Sequence, residues 1–124
     1  MNKKENIEAL ATDIYNWCFE NDLWDDCCIY FGGNAWATWK EWSGEKGRKI
    51  NEGLYLYEYK NPLDYFEYAN PATLSMSFEG DLYQVVNDYG YTFPNWHNEF
   101  RNLFKKHGYY YELGNSWNLS ICEE

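Results

Sequence analysis

Apolar residues recur along this chain with two different periods. Across residues 4–21, Ile7, Leu10, Ala11, Ile14, Trp17 and Cys18 return every three or four positions. That spacing predicts an amphipathic helix with one apolar stripe. Glu8, Asp13 and Glu20 lie off the stripe, and Asn21-Asp22 is a plausible end. Residues 27–31 then read as a strand, Gly32-Gly33-Asn34 as a turn, and residues 35–39 as the second arm of a hairpin. Residues 54–59 alternate cleanly, with Leu54, Leu56 and Glu58 on one side and Tyr55, Tyr57 and Tyr59 on the other.

Asn61-Pro62 breaks that strand, and residues 63–68 read as one short helix. Residues 73–78 alternate again, placing Leu74, Met76 and Phe78 toward a core. Asp81 is a candidate N-cap for a short helix over residues 82–88 that stops at Gly90. Pro94 opens a further helix through Lys106, with Trp96, Phe100, Leu103 and Phe104 on one face. Gly108 ends it, and Lys105 and Lys106 complement its dipole. Residues 109–113 and 117–122, joined by Gly114-Asn115, predict a second hairpin. The order predicts an α+β fold: a mainly antiparallel sheet with an N-terminal helix and two central-to-C-terminal helices packed on it. Residues 1–124 are expected to form a single domain, since a chain of this length buries roughly two-thirds of its unfolded surface.

Charge alters the range of functions. Twenty acids face ten bases, for a net charge of −10. Residues 1–30 hold two lysines against seven acids, and residues 61–90 hold five acids and no base. Two acidic stretches thus flank a near-neutral middle. This balance opposes direct binding to a nucleic acid, which needs clustered Lys and Arg. It also opposes docking on an anionic membrane. It favours steered capture of a basic protein. Residues 43–49 read as a flexible loop and the one basic cluster, with a solvated connection as its plainer role.

No chemical motif stands out. Cys18, Cys27, Cys28 and Cys122 lack the paired spacing of a structural zinc site, and His97 and His107 do not complete one. Cys18 and Cys122 read as core residues, and Cys27 and Cys28 point to opposite faces of a strand, which would leave one exposed. His97 and Glu99, two apart on a helix, diverge. No phosphate-binding loop occurs. The expectation is a non-enzymatic chain without cofactor or metal ion. The first residues carry no hydrophobic leader pattern and no apolar run reaches membrane-spanning length, so a cytoplasmic setting with reduced thiols is expected.

The candidate contact residues are Glu20, Asp22, Trp24, Asp25 and Asp26 in the first stretch, and Asp64 and Glu67 in the second. Four carboxylates at a helix C-terminus are electrostatically costly unless a partner supplies positive charge. Trp24 is placed to act as an anchor; a solvated turn with Trp24 folded into the core is the plain alternative. Asp64 and Glu67 sit beside Tyr65, Phe66 and Tyr68.

In size, acidity, lack of catalytic motifs and clusters such as Glu20-Asn-Asp-Leu-Trp-Asp-Asp26, the chain resembles small phage or mobile-element inhibitors of bacterial defence nucleases, of the anti-CRISPR or anti-restriction type. That resemblance implies an inhibitor that binds a basic nucleic-acid-handling protein, as a nucleic-acid mimic or by locking an inactive state. An immunity protein that neutralises a toxin nuclease has the same profile. Two other readings stay open. One is an enzyme or small-ligand binder with an aromatic pocket built from Tyr55, Tyr57 and Tyr59 or from Trp36, Trp39 and Trp42. The other is a homo-oligomer that buries its Tyr-rich sheet face.

Overall fold

The computed structural model describes residues 2–89 and 95–124; the helix limits expected at Gly90 and Pro94 lie outside the described residues. Helix α1 spans Lys3–Glu20, and its first turn is capped by Asn2, whose Oδ1 accepts from the Glu5 N–H at 2.8 Å. Strands β1 (Cys27–Phe31) and β2 (Asn34–Ala37) form the expected hairpin. Residues 43–49 depart from the loop expected there. Glu41–Trp42 (β3) and Glu45–Lys46 (β4) make a small hairpin, and Arg48–Asn51 is a strand, β5, paired with β6 (Leu54–Tyr57). A single 3-10 turn, Pro62–Asp64, replaces the short helix expected over residues 63–68. The chain continues through β7 (Leu74–Phe78), α2 (Leu82–Val86), α3 (Trp96–Lys106), β8 (Tyr109–Asn115) and β9 (Asn118–Glu123).

Among the described residues, seven strands join into one sheet in the order β5-β6-β2-β1-β7-β9-β8. Every neighbouring pair is antiparallel. The period-two alternation sorts the two faces. Ile29, Leu74, Met76, Phe78, Leu119 and Ile121 turn toward the helices, where Leu10, Ile14, Phe100 and Phe104 complete the main core. Tyr109 and Tyr111 of β8 join them, with the Tyr111 ring 4.9 Å from Phe104.

The opposite face is buried too. Cys28, Tyr30, Ala35, Ala37, Tyr55 and Tyr57 pack beneath Phe66, Trp39, Trp42 and Trp117. The cover here is not a helix but the β3–β4 hairpin and the segment after β6. That is why Cys27 and Cys28 are both fully buried, although they point to opposite faces. The exposed cysteine expected from strand alternation does not occur, because the sheet has no wet face at β1. Cys18 is buried, while Cys122 is only partly so.

The helices cover the sheet unevenly. Six inter-strand gaps of about 4.8 Å make the sheet nearly 30 Å wide. On its helix side, α1 and α3 lie together: Trp17 packs against Trp96 and Phe100, and Asn6 donates to the His107 carbonyl at 2.8 Å. At the β2-β6-β5 end of that face, α1 residues Lys3, Lys4, Ile7 and Glu8 border a groove whose other side is Trp36, Leu56, Arg48 and Ile50.

Candidate functional site

The first acidic stretch forms a joint between elements. After α1, Asp22 and Asp26 take positive φ values of 56° and 49° and turn the chain into β1. The Asp26 carboxylate accepts from Trp39 Nε1 at 3.2 Å, and its carbonyl accepts from the Glu79 N–H at 3.1 Å. Asp25 Oδ1 accepts from the Asp81 N–H at 3.1 Å, at the start of α2. The cap expected from Asp81 is therefore supplied by Asp25: Asp81 has helical φ and ψ and makes no capping bond with its own side chain. Gly80 permits this approach, since a Cβ there would collide with the Asp25 carbonyl oxygen. Burial raises the Asp25 pKa, the backbone bond to Asp81 opposes it, and the charges of Asp81 and Asp26 push the same way as burial.

Trp24 is engaged inside the molecule. Its Nε1–H donates to the Gly53 carbonyl at 2.8 Å, and its ring meets Tyr15 edge-on at 5.3 Å. It ties the β5–β6 turn to α1. Glu20 and Asp22 remain exposed at the helix end.

Asp64 and Glu67 lie elsewhere, on the segment that crosses the second face of the sheet. They share no hydrogen bond or ion pair with Glu20, Asp22, Asp25 or Asp26. Inward, Phe66 is buried against Tyr30 and Trp117. Tyr65 stacks on Tyr30 at 5.8 Å and leans on Trp42 at 4.9 Å. Lys60 sits 4.7 Å above the Trp42 ring and bonds Glu45 at 2.9 Å. That bond to Glu45 holds its pKa above the usual lysine value. Trp39 and Trp42 therefore build a nest within the second core, not an open pocket, and Tyr57 donates to the Trp39 carbonyl at 2.6 Å.

Outward, the same segment carries the carboxylate and aromatic mixture expected at Asp64 and Glu67, and it adds Tyr59, which residue order did not place there. Tyr59 is 91 % exposed, Tyr68 65 %, Leu63 48 % and Tyr65 42 %. Between them stand Glu58, Asp64 and Glu67, none ion-paired among the described residues. Tyr59 does not continue β6 as the alternation suggested. It adopts φ 58°, a left-handed conformation that costs a side chain roughly 1–2 kcal/mol. Asn34 Oδ1 accepts its N–H at 3.3 Å, and the next N–H, of Lys60, reaches the Gly33 carbonyl at 2.9 Å. The β1–β2 turn thus holds the tyrosine outward.

The remaining groups suit structure better than chemistry. Burial pushes the thiols of Cys18, Cys27 and Cys28 up, away from the reactive thiolate. His97 Nδ1 lies 2.9 Å from the Val85 carbonyl, and Glu99 accepts instead from Trp17. His107, the C-cap of α3, holds Asp13 at 2.6 Å and Asn6 at 2.8 Å. Among the described residues, no group of three or more His, Cys, Asp or Glu is placed to hold a metal ion, and no helix is long and apolar enough to cross a membrane. Comparison with family models, with curated proteins and with solved structures gave no match to this chain.

Proposed function

We propose that the chain acts by binding a basic protein surface through the ridge of residues 58–68, and that the partner is a nucleic-acid-handling protein such as a defence or toxin nuclease. The observation that carries this reading is Tyr59, 91 % exposed and fixed at φ 58° by the neighbouring turn. A solvent-exposed tyrosine in a costly backbone conformation has no role in the fold that a glycine would not fill better. Exposed aromatics with free carboxylates are the composition of a protein interface facing positive charge. Asp64 and Glu67 belong to this ridge. Glu20, Asp22, Asp25 and Asp26 add long-range attraction from a separate place, and Trp24 serves the fold.

The test compares three forms of the chain: wild type, Tyr59→Ala/Asp64→Lys/Glu67→Lys, and the charge-matched control Glu20→Lys/Asp22→Lys. Each is used as bait in a bacterial lysate at low and high salt, and captured proteins are assayed for nuclease activity with and without added chain. The wild type should retain a basic nuclease at low salt and inhibit it. The ridge variant should lose about tenfold or more in affinity, and the control should lose less. Equal losses in both variants would assign the attraction to bulk charge and remove the ridge as the site.

A further inference from the structure

Between α1 and the β2-β6-β5 end of the helix-side face runs a groove of about 600 Å³, within the usual range for a small-molecule site. Its apolar lining comes from Ile7 of α1, Phe31 of β1, Trp36 of β2, Leu56 of β6 and Ile50 of β5. The strand register explains the convergence: Trp36 pairs with Leu56 and Leu56 with Arg48, so all three side chains rise from one face. Phe31 and Trp36 meet edge-to-face at 4.9 Å. Beyond the groove, Tyr15 donates to the Glu52 carbonyl and Trp24 to the Gly53 carbonyl, tying the β5–β6 turn to the helix side.

The rim has the opposite sign to the net charge of the molecule. Lys3, Lys4 and Arg48 line it against a single acid, Glu8. Lys3 is tied to Glu123 at 3.1 Å, but Lys4 and Arg48 make no ion pair among the described residues. In a chain of net charge −10, these cations give the groove a local excess of positive charge around an apolar floor. Thr73 also stands in the wall; it is 7 % exposed, and its Oγ1 has no hydrogen-bond partner. A buried hydroxyl left unpaired is a donor in want of an acceptor.

We infer that this groove binds a small organic anion: a flat or branched apolar body seated on Trp36 and Leu56, with one carboxylate, sulfonate or phosphate held between Lys4 and Arg48. The apolar body supplies affinity by burial, and the anionic head is oriented by the two cations. The site is independent of the ridge at residues 58–68 and rests on different residues.

Two fluorescent probes with the same aromatic body separate the contributions. Anilinonaphthalene sulfonate carries the anionic head, and N-phenylnaphthylamine is its neutral counterpart. Titrated into the full chain, the sulfonate should bind saturably, one per chain, and about tenfold or more tighter than the neutral probe. That order is informative, because the net negative charge of the protein disfavours the sulfonate overall. Lys4→Glu/Arg48→Glu should weaken the sulfonate about tenfold or more and leave the neutral probe unchanged. Ile50→Glu, at a half-exposed position that tolerates polarity, should weaken both. Circular dichroism and melting curves confirm that each variant is folded. Equal affinity for the two probes, unaltered sulfonate binding after charge reversal, or no saturable binding of either probe would each overturn the inference.

Discussion

At Asp25 one side chain meets two opposing demands. Its oxygen is needed as an acceptor for the Asp81 N–H, yet its charge stands beside Asp26 and Asp81. Burial first, and then these two neighbours, place its folded pKa above the ordinary carboxylate value. An acid with a raised folded pKa costs stability when ionised, and that cost disappears as pH falls below the unfolded value. Asp25→Asn keeps the acceptor and removes the charge. It should therefore raise the melting temperature near neutral pH and leave it unchanged near pH ~3, where the wild-type carboxyl is already protonated. Thermal denaturation at the two pH values checks this, and a lower melting point near neutrality would show that the charge itself is needed. The acidic stretch was visible in the sequence, but its role as a joint was not. The bond from Asp25 to Asp81 spans 56 residues and depends on the missing side chain of Gly80. Tyr59 was hidden for a related reason: it continues the alternation of β6 in the sequence, and only the long-range hold from Gly33 and Asn34 turns it out.

At the scale of elements, the periodic segments declared themselves and the polar ones did not. Helix α1, the hairpin β1–β2 and strand β7 stand where apolar spacing placed them, because each presents a stripe or face to a core. Strand β5 has no buried residue and reads Arg-Lys-Ile-Asn, since an edge strand in water needs no apolar alternation. The α1–α3 joint also rests on polar groups far apart in sequence. Burial alone would raise the Asp13 pKa, but its bonds to His107 and Lys106 outweigh this and leave it below the usual carboxylate value. A lowered folded pKa gives stability that is present above the unfolded value and is lost as pH falls through the folded one. Asp13→Asn should thus cost about 1–2 kcal/mol near neutral pH, after allowance for partial exposure, and little near pH ~2–3. Urea denaturation at both pH values measures the difference, and a cost that does not change with pH would assign Asp13 a packing role only.

For the whole molecule, charge acts on stability and on binding with opposite signs. Among the described residues, four lysines, Lys3, Lys49, Lys60 and Lys106, ion-pair with four of the twenty acids. Most carboxylates make no ion pair among the described residues and repel one another across a small surface. Salt screens that repulsion over a distance of about 10 Å at 0.1 M. The four pairs lose strength as well, but exposed pairs are worth at most about 1 kcal/mol each. Raising sodium chloride from about 0.02 M to about 0.5 M should therefore raise the melting temperature by roughly 2–5 °C. Over the same range, capture of a basic partner by the ridge should weaken, because screening removes the attraction that steers it. A melting temperature that falls with salt would mean that the paired lysines outweigh the net repulsion. The free carboxylates would then not be the unfavourable surface that a cationic partner relieves. If stability rises while binding falls, the acidity of this chain is a cost in isolation that is recovered in the complex.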